Sequence, residues 1–291
     1  TGVLVNAASG LGSPTKTLSA ASIFTGGAGT VTITGTAGGG SDKFGVSILS
    51  STDPIPGFPN TDTTSRVTTA GGDIVITAVD QAGSGDDIEV GPESVVSSTG
   101  GNVTLNAGDN VDIDGDLLSA AAGTVTINVD GAASDPDAAG GTVDIDSAST
   151  VTTSGGAFLN GGDDNDVFNF APQTTTTFDV DGNPPVFSDG PPAVPPGDTM
   201  NLDLTGVTVT ALVVGPDAGE GQYTFSSPNS VTYESIETIA TTPAVIPLPI
   251  VYNGTAGDDN LWLRIDDNGG APLLELLSGV NIGVSGGAIT V

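Results

Sequence analysis

The chain has no cysteine and no histidine, and it has few cationic or aromatic residues. Its 291 residues include 4 Lys and Arg against 35 Asp and Glu, and aromatic residues make up 4%. Without cysteine there is neither a disulfide nor a thiol nucleophile, and without histidine the commonest general base is missing. These absences argue against zinc or other soft-metal catalysis. The net charge of -31 disfavours nucleic acid and anionic membranes as partners.

Long hydrophobic runs are also missing. No stretch of 18 apolar residues occurs, so we expect no membrane insertion. The chain begins with Thr and shows no signal-peptide pattern, so we interpret it as processed or as a segment of a longer protein. What is abundant is glycine (44 residues), proline (19) and hydrophobic residues (37%). This composition favours short strands, tight turns and a buried core.

A short unit of glycine followed by alternating apolar residues recurs along the chain. In GGNVTLNA, the alternation predicts that Val103 and Leu105 face inward and Thr104 faces outward. By the same alternation Phe168 and Phe170 face inward. The unit occurs at 29–35, 71–78, 100–107, 122–129, 141–147 and 285–291.

Two further apolar segments follow the first, and together they define a longer repeat. Residues 71–99, 100–121 and 122–154 each predict a coil of about three short strands. Units of this length are typical of a parallel β-helix (β-solenoid), in which each coil buries its apolar residues only against its neighbours. A β-sandwich of hairpins is the alternative, but the segments recur in triplets rather than pairs.

The organisation changes after residue 170, where a proline-rich loop and five short strand-like segments follow. The predicted fold is all-β, a parallel β-solenoid with an inserted or appended small β-subdomain. The predicted parts are solenoid coils at 1–170, a β-subdomain or decorated coils at 171–242, a Pro-rich linker at 243–252 and solenoid-like strands at 253–291 that contact a next unit. Neither terminus carries a recognisable capping segment, which favours a longer array.

Two loops rich in glycine and aspartate are candidate cation sites. The segments GGDDNDVFN (161–169) and GTAGDDNLW (254–262) resemble the nonapeptide G-G-x-G-x-D-x-U-x of RTX (hemolysin-type) calcium-binding repeats. Asp164 and Thr255 replace glycines of that pattern. The resemblance implies calcium held between adjacent turns by loop carbonyls and aspartate carboxylates. The matching residues are Gly161, Gly162, Asp166 and Phe168 in the first loop, and Gly254, Gly257, Asp259 and Leu261 in the second.

An aspartate two positions before an inward apolar residue recurs outside these loops as well. In stacked coils such carboxylates would approach within about 5 Å, and each like pair would cost roughly 1–3 kcal/mol. A bridging hard cation removes that cost; alternatively each Asp caps a turn through its own hydrogen bonds. The pairs are Asp42/Phe44, Asp86/Ile88, Asp109/Val111, Asp166/Phe168 and Asp259/Leu261. The predicted calcium residues are Gly161, Asp163, Asp164, Asp166, Gly254, Gly257, Asp258, Asp259, Asp86 and Asp109.

These features predict a non-catalytic, extracellular structural module at a cell surface. It would be a calcium-stiffened unit of a filament, sheath or adhesin stalk that associates with identical units head to tail or laterally. The pattern of the repeats also resembles that of the repeat regions of very large secreted bacterial surface proteins.

Two alternatives stay open. One is an adhesin module that binds carbohydrate, such as surface glycans, or a host surface through a cleft in 171–240 lined by Phe178, Phe187, Tyr223, Phe225 or Tyr233. The other is a polysaccharide-active β-helix enzyme, since Asp112, Asp114, Asp144 and Asp146 would share one outer face. Outward Thr32, Thr34, Thr104 and Thr126 resemble an ice-binding row, although Thr is also a good exposed strand residue.

Overall fold

A computed structural model describes most of the chain. The described residues are 3–8, 22–36, 45–49, 65–79, 87–114, 117–120, 123–131, 140–183, 197–215, 219–243, 250–252, 260–267 and 272–281. Within these ranges the chain is all-β: strands occur and helices do not. Accordingly, no helix in the described part has the length and apolarity needed to cross a membrane.

The strands are short, and most contain four to six residues. In chain order they are β1 Val3–Ala8, β2 Ser22–Thr25, β3 Val31–Thr36, β4 Val46–Ile48, β5 Arg66–Thr69, β6 Ile74–Val79, β7 Ile88–Val90, β8 Val95–Ser98, β9 Val103–Asn106, β10 Asn110–Ile113, β11 Leu117–Ala120, β12 Val125–Asn128, β13 Thr142–Ile145, β14 Thr150–Thr153, β15 Ala157–Asn160, β16 Val167–Phe170, β17 Phe178–Asp181, β18 Thr199–Asp203, β19 Val209–Val214, β20 Gly221–Phe225, β21 Val231–Glu234, β22 Thr238–Thr242, β23 Ile250–Tyr252, β24 Asn260–Asp267 and β25 Pro272–Asn281.

Three sheets contain nearly all of these strands, and parallel pairing dominates them. Sheet A has the order β1-β3-β6-β9-β12-β15-β17-β21-β20-β19-β23. Sheet B has the order β14-β11-β8-β5-β2, and sheet C has the order β22-β18-β16-β13-β10-β7-β4. Strands β24 and β25 form a separate antiparallel pair.

Successive strands belong to the three sheets in a repeating order. From β5 to β16 the chain passes through sheets B, A and C in turn, and it repeats that order. The predicted units 71–99, 100–121 and 122–154 therefore each contribute one strand to every sheet. Pairing is in register, so that Val103 lies opposite Val125 and Val111 lies opposite Val143. This path is compatible with a parallel β-helix.

The inward and outward alternation confirms the predicted facing of the strands. Val103 and Leu105 are fully buried, and Thr104 between them is partly exposed. Phe168 and Phe170 are buried in the same way on β16. Because neighbouring coils place like residues at like positions, the core is a set of stacked apolar columns from all three sheets.

Region 171–242 continues two of the sheets and adds a hairpin. Strands β17 and β21 join sheet A, and β18 and β22 join sheet C, all by parallel pairing. Strands β19 and β20 are antiparallel and extend sheet A beyond β21. Among the five strand-like segments predicted after residue 170, the last, at 230–239, contains β21 and the start of β22.

Hydroxyl side chains form hydrogen bonds at two of the three kinds of connection between sheets, which we call corners. Between sheets C and B, Ser65 and Ser149 are buried, and their hydroxyls donate to Leu49 O and Ile113 O, each at the end of a sheet C strand. Between sheets B and A, Ser98 and Thr153 are buried, and their hydroxyls donate to the carbonyls of Gly72 and Gly123, each in the preceding turn from sheet B to sheet A. Each corner thus satisfies buried backbone groups across coils.

At the β14 edge of sheet B, side chains rather than a further strand form hydrogen bonds with the backbone. The amide of Gln173 accepts the Val151 N–H at 2.8 Å and donates to Ser149 O at 3.1 Å. The Thr176 hydroxyl accepts the Thr153 N–H and donates to Val151 O. These bonds occupy the backbone groups that an edge strand would otherwise offer to another chain.

Candidate functional site: a column of buried carboxylates

Acidic side chains form a column at the third corner, between sheets A and C. Each member lies one residue before a sheet C strand, and neighbouring strands of a sheet lie about 4.8 Å apart. Asp166, Asp198 and Glu237 stack in register in successive coils, whereas Asp87 is in register with Asn110, one position after Asp109. Gly141 occupies the equivalent position before β13. We name this set the carboxylate column: Asp87, Asp109, Asp166, Asp198 and Glu237.

The carboxylate column is bonded through backbone N–H groups of neighbouring coils. The Asp109 N–H donates to Asp87 Oδ2 at 2.6 Å, and the Asp166 N–H donates to Asp198 Oδ1 at 2.7 Å. The Asp198 N–H donates in turn to a Glu237 carboxylate oxygen at 2.8 Å. A carboxylate accepts but does not donate, so backbone donors are what make this stack of like charges tolerable.

Asp166 has the most complete set of donors in the column. Its Oδ1 accepts the Gly141 N–H at 2.6 Å, and its Oδ2 accepts the Gly162 N–H at 2.8 Å. It is fully buried. Two backbone bonds to the two oxygens are the geometry of a turn cap. They favour that alternative over metal ligation at this residue.

At three positions, a large residue in the column packs against a small neighbour, or a small one against a large neighbour. A Cβ added to Gly161 would overlap Asp166 Oδ2, and one added to Gly182 would lie 2.5 Å from Asp198 Oδ2. At Gly141 the sizes are reversed: the column residue is small and its neighbour, Val129, is large. A Cβ added to Gly141 would lie 2.7 Å from Val129 Cβ. Gly161 and Gly182 are therefore needed because a carboxylate of the column packs against each of them, whereas Gly162 packs against Asp130.

Asp198, like Asp87 and Asp109, has one buried carboxylate oxygen that accepts no hydrogen bond from the described residues. Its side chain is fully buried, and Oδ2 has no hydrogen-bond partner among the groups that the structure describes. Burial, opposed by the Asp166 N–H and reinforced by the nearby Asp166, Glu237 and Asp181 carboxylates, raises its pKa to about 7. Asp198 therefore carries a proton through much of the range in which ordinary carboxyls are ionised.

The remaining residues of the first predicted loop lie nearer the surface. Asp163 is exposed and Asp164 is half-buried, and the Asp164 N–H donates to Asp130 Oδ2 at 2.9 Å. An open cleft of about 530 Å³ lies beside this loop and brings Gly161 and Asp163 together with Asp181. Asn128, Asn160 and Asn183 complete its polar lining with Asp130. Carboxylate and amide oxygens are the ligand types that calcium takes.

Half of the predicted calcium residues fall outside the described part of the chain. These are Asp86, Gly254, Gly257, Asp258 and Asp259. Within the described ranges, no group of three or more Asp and Glu side chains is arranged to hold a metal ion. The proximity of the loops at 161–166 and 254–259 stays a prediction, as does calcium binding.

Sequence reasoning missed three members of the column. In the coil of β7 the buried carboxylate is Asp87, one residue after the predicted Asp86. Asp198 and Glu237 were also missed, although each stands two positions before an inward or partly buried apolar residue, Met200 and Ile239. The spacing rule that selected Asp109 and Asp166 would have selected both, had it been applied beyond residue 170 and to glutamate.

A second acidic feature lies on the outer face of sheet C. Glu89, Asp112 and Asp144 are adjacent and in register on β7, β10 and β13. An open groove of about 480 Å³ contains Asp112, Asp114, Asp144 and Asp146, as the sequence predicted for one outer face. Asp203 also lines it, and hydrogen bonds from Thr205 lower the pKa of that carboxyl.

The aromatic residues of region 171–242 pack into the core rather than around a cleft. Phe178, Tyr223 and Tyr233 are buried, and Phe225 packs against them. The ring centroids of Tyr223 and Tyr233 lie 6.2 Å apart, and burial raises the pKa of Tyr223 to about 12. Phe187 lies outside the described residues. The described aromatics thus serve the hydrophobic core.

Known proteins supply no assignment for this site. The function must therefore be inferred from the chain's own geometry, and the resemblance to RTX repeats rests on the quoted loop residues alone. Comparison with family models, with curated proteins and with solved structures yields no match.

Proposed function

We propose that the chain winds as a closed three-sided β-solenoid and serves as a non-catalytic structural module at an extracellular surface. The observation that carries this proposal is the polar bonding between coils at all three corners: serine, serine or threonine, and aspartate. Serine, threonine and aspartate side chains, which an enzyme could direct at a substrate, are at these corners bonded to the backbone of a neighbouring coil. Such bonding supports a stiff rod.

Hydrogen exchange tests the winding. In a solenoid each coil contacts only its neighbours, so damage at one coil spreads to the adjacent coils in every sheet. Substituting Asp166 should lower protection in β13 and β18, and also in β14, β15 and β17. Loss of protection confined to sheet C would instead show independent sheets and would overturn the closed winding.

Calcium is part of the proposal, as the cation that relieves the net charge of -31. We place the ion beside Asp163 and Asp181, in the cleft at the first loop, since Asp166 already accepts two backbone N–H groups. Calcium should raise the melting temperature of the wild type, and chelator should reverse the rise. Asp163→Asn with Asp181→Asn should reduce the response, whereas Asp73→Asn, on a distant turn, should not. An unchanged melting temperature in calcium and in chelator would remove the ion from the proposal.

The sheet C groove favours a second candidate, a polysaccharide-binding or polysaccharide-cleaving surface. Asp112 and Asp144 lie on adjacent in-register strands about 4.8 Å apart, close to the carboxyl separation of retaining glycosidases. Incubating the protein with a panel of polysaccharides and measuring reducing ends tests this candidate. Cleavage abolished by Asp112→Asn and Asp144→Asn would establish an enzyme and overturn the purely structural role.

A further inference from the structure

We propose that the outer face of sheet A is a lateral docking surface for a second copy of this chain. This inference rests on the proposed structural function and names the surface through which the units associate. The face comprises the outward residues of β3, β6, β9, β12 and β15, and we call it the neutral face. Its members are Thr32, Thr34, Thr36, Val75, Thr77, Val79, Thr104, Asn106, Thr126, Asn128, Phe158 and Asn160.

Charge distinguishes the neutral face from the outer face of sheet C and from the continuation of sheet A at β17 and β21, where Asp181 and Glu234 lie. The outward residues of β5, β8 and β14 in sheet B also include no carboxylate, but they include the cation Arg66. None of the outward residues of the neutral face is ionisable, in a chain with 35 acidic residues and a net charge of -31. The outer face of sheet C, by contrast, places Glu89, Asp112 and Asp144 side by side. Two copies repel each other at most orientations, and the repulsion is weakest when neutral faces meet.

The neutral face is also regular and preorganised. Its strands pair in parallel without a register shift, which places its side chains in straight rows. In one row Asn128 Nδ2 donates to Asn106 Oδ1 at 2.8 Å and Asn160 Nδ2 donates to Asn128 Oδ1 at 2.7 Å. Asn106 Nδ2 reaches Thr77 Oγ1 at 3.3 Å. Because these amides already bond one another, covering them costs less desolvation than covering isolated polar groups.

The covered edges of β14 in sheet B and β21 in sheet A favour lateral over end-to-end association at these positions. The edge of β14 is closed by Gln173 and Thr176, as described above. The edge of β21 in sheet A is covered by the antiparallel strand β20. Two of the three stacks therefore do not offer a parallel strand edge for a next unit at these positions.

The size of the neutral face sets the expected affinity. Five strands about 4.8 Å apart and four to six residues long cover roughly 20 Å by 15 Å. An interface of that size falls well below the area of a standard stable complex, so association should be weak and concentration-dependent. Many copies anchored side by side on one surface would strengthen it through effective concentration.

Sedimentation across salt concentration is the primary test. From about 0.01 M to about 1 M NaCl the screening length falls from about 30 Å to about 3 Å, so the weight-average mass should rise with salt. Thr104→Asp with Thr126→Asp should weaken association at least about tenfold, because four carboxylates would face each other. Thr68→Asp with Ser97→Asp is the matched control, since it adds the same charge at adjacent in-register positions of sheet B.

Cysteine trapping provides an independent readout, since the chain has no native cysteine. Thr104 lies on the central strand of the neutral face, so Thr104→Cys should form a disulfide dimer under mild oxidation. Ser97→Cys, in the same coil but on sheet B, should not. Monomer at every salt concentration, or equal behaviour of the paired variants, would overturn the docking surface. Neither outcome affects the winding, which hydrogen exchange tests separately.

Discussion

The asparagine row of sheet A and the carboxylate column beside it are both stacks of like polar side chains. Asn106, Asn128 and Asn160 bond to one another, because an amide carries both a donor and an acceptor. The carboxylates Asp166 and Asp198 cannot do so, and each takes backbone N–H groups instead. A stack of amides can therefore form hydrogen bonds within itself, whereas a stack of carboxylates depends on N–H donors from the surrounding turns.

The same row shows what happens when amides give way to acids. Beyond Asn160 the in-register positions are Asp181 and Glu234, on β17 and β21. The Asp181 carboxylate raises the pKa of Glu234, because the two like charges lie side by side. At this end of the molecule the amide row becomes acidic and Asp198 has an oxygen without a donor, so a cation or a proton would relieve the repulsion there.

The largest expected effect is steric and concerns the carboxylate column. Gly161→Ala would place a Cβ against Asp166 Oδ2 and should destabilise the fold by about 3 kcal/mol or more. Gly27→Ala is the matched control, since no heavy atom lies within 4 Å of its added Cβ. Denaturant unfolding of the two variants checks this, and equal stability would show that the column does not pack as described.

The next effect distinguishes two members of the column. Asp166→Asn replaces one acceptor of a backbone N–H by a donor, so it should cost about 1–3 kcal/mol. Asp198→Asn keeps the Oδ1 acceptor and replaces an oxygen that lacks a partner, so it should be neutral or stabilising at pH 8. Unfolding free energies at pH 8 compare them directly. A larger loss at Asp198 would reverse the proposed roles.

The third prediction concerns the pH dependence of Asp198. Its pKa is raised from 3.8 to about 7 in the folded state, so the folded chain binds more protons than the unfolded chain between these values. The contribution of Asp198 to stability is therefore full below about pH 4, declines as the pH rises toward 7 and is absent above. Melting of the wild type relative to Asp198→Asn should show this decline between pH 4 and 7. A constant difference would place its pKa elsewhere.

The smallest effect is expected in the amide row. Asn128→Ala removes one donated and one accepted hydrogen bond at a partly exposed position and should cost about 1 kcal/mol. Asn128→Asp should cost more, because it loses the donor to Asn106 Oδ1 and places a carboxylate oxygen against that amide oxygen. Thermal melts of both variants check the order, and a less damaging Asp variant would contradict the hydrogen bonding of the amides within the row.

The pattern of buried and exposed strand residues could be predicted from the sequence, because burial in a strand alternates from one residue to the next. Val103 and Leu105, like Phe168 and Phe170, needed only a period of two to be placed inside. The column was accessible in part, since Asp109 and Asp166 follow a fixed spacing to the next inward residue. The donors to these carboxylates were not accessible, because Gly141 and Asp166 lie in different coils separated by a loop of unpredictable length.

The sequence alone determined the all-β class, the three-strand repeat and the side of each strand that is buried, because all three follow from short-range alternation and glycine-marked turns. Only the tertiary structure decided which side chains stack. It left one buried oxygen of Asp198 without a hydrogen-bond partner, gave Asp166 two backbone donors, and aligned the uncharged outward residues of β3, β6, β9, β12 and β15. These outcomes depend on the register between coils, and register is a property of the assembled stack rather than of any one segment.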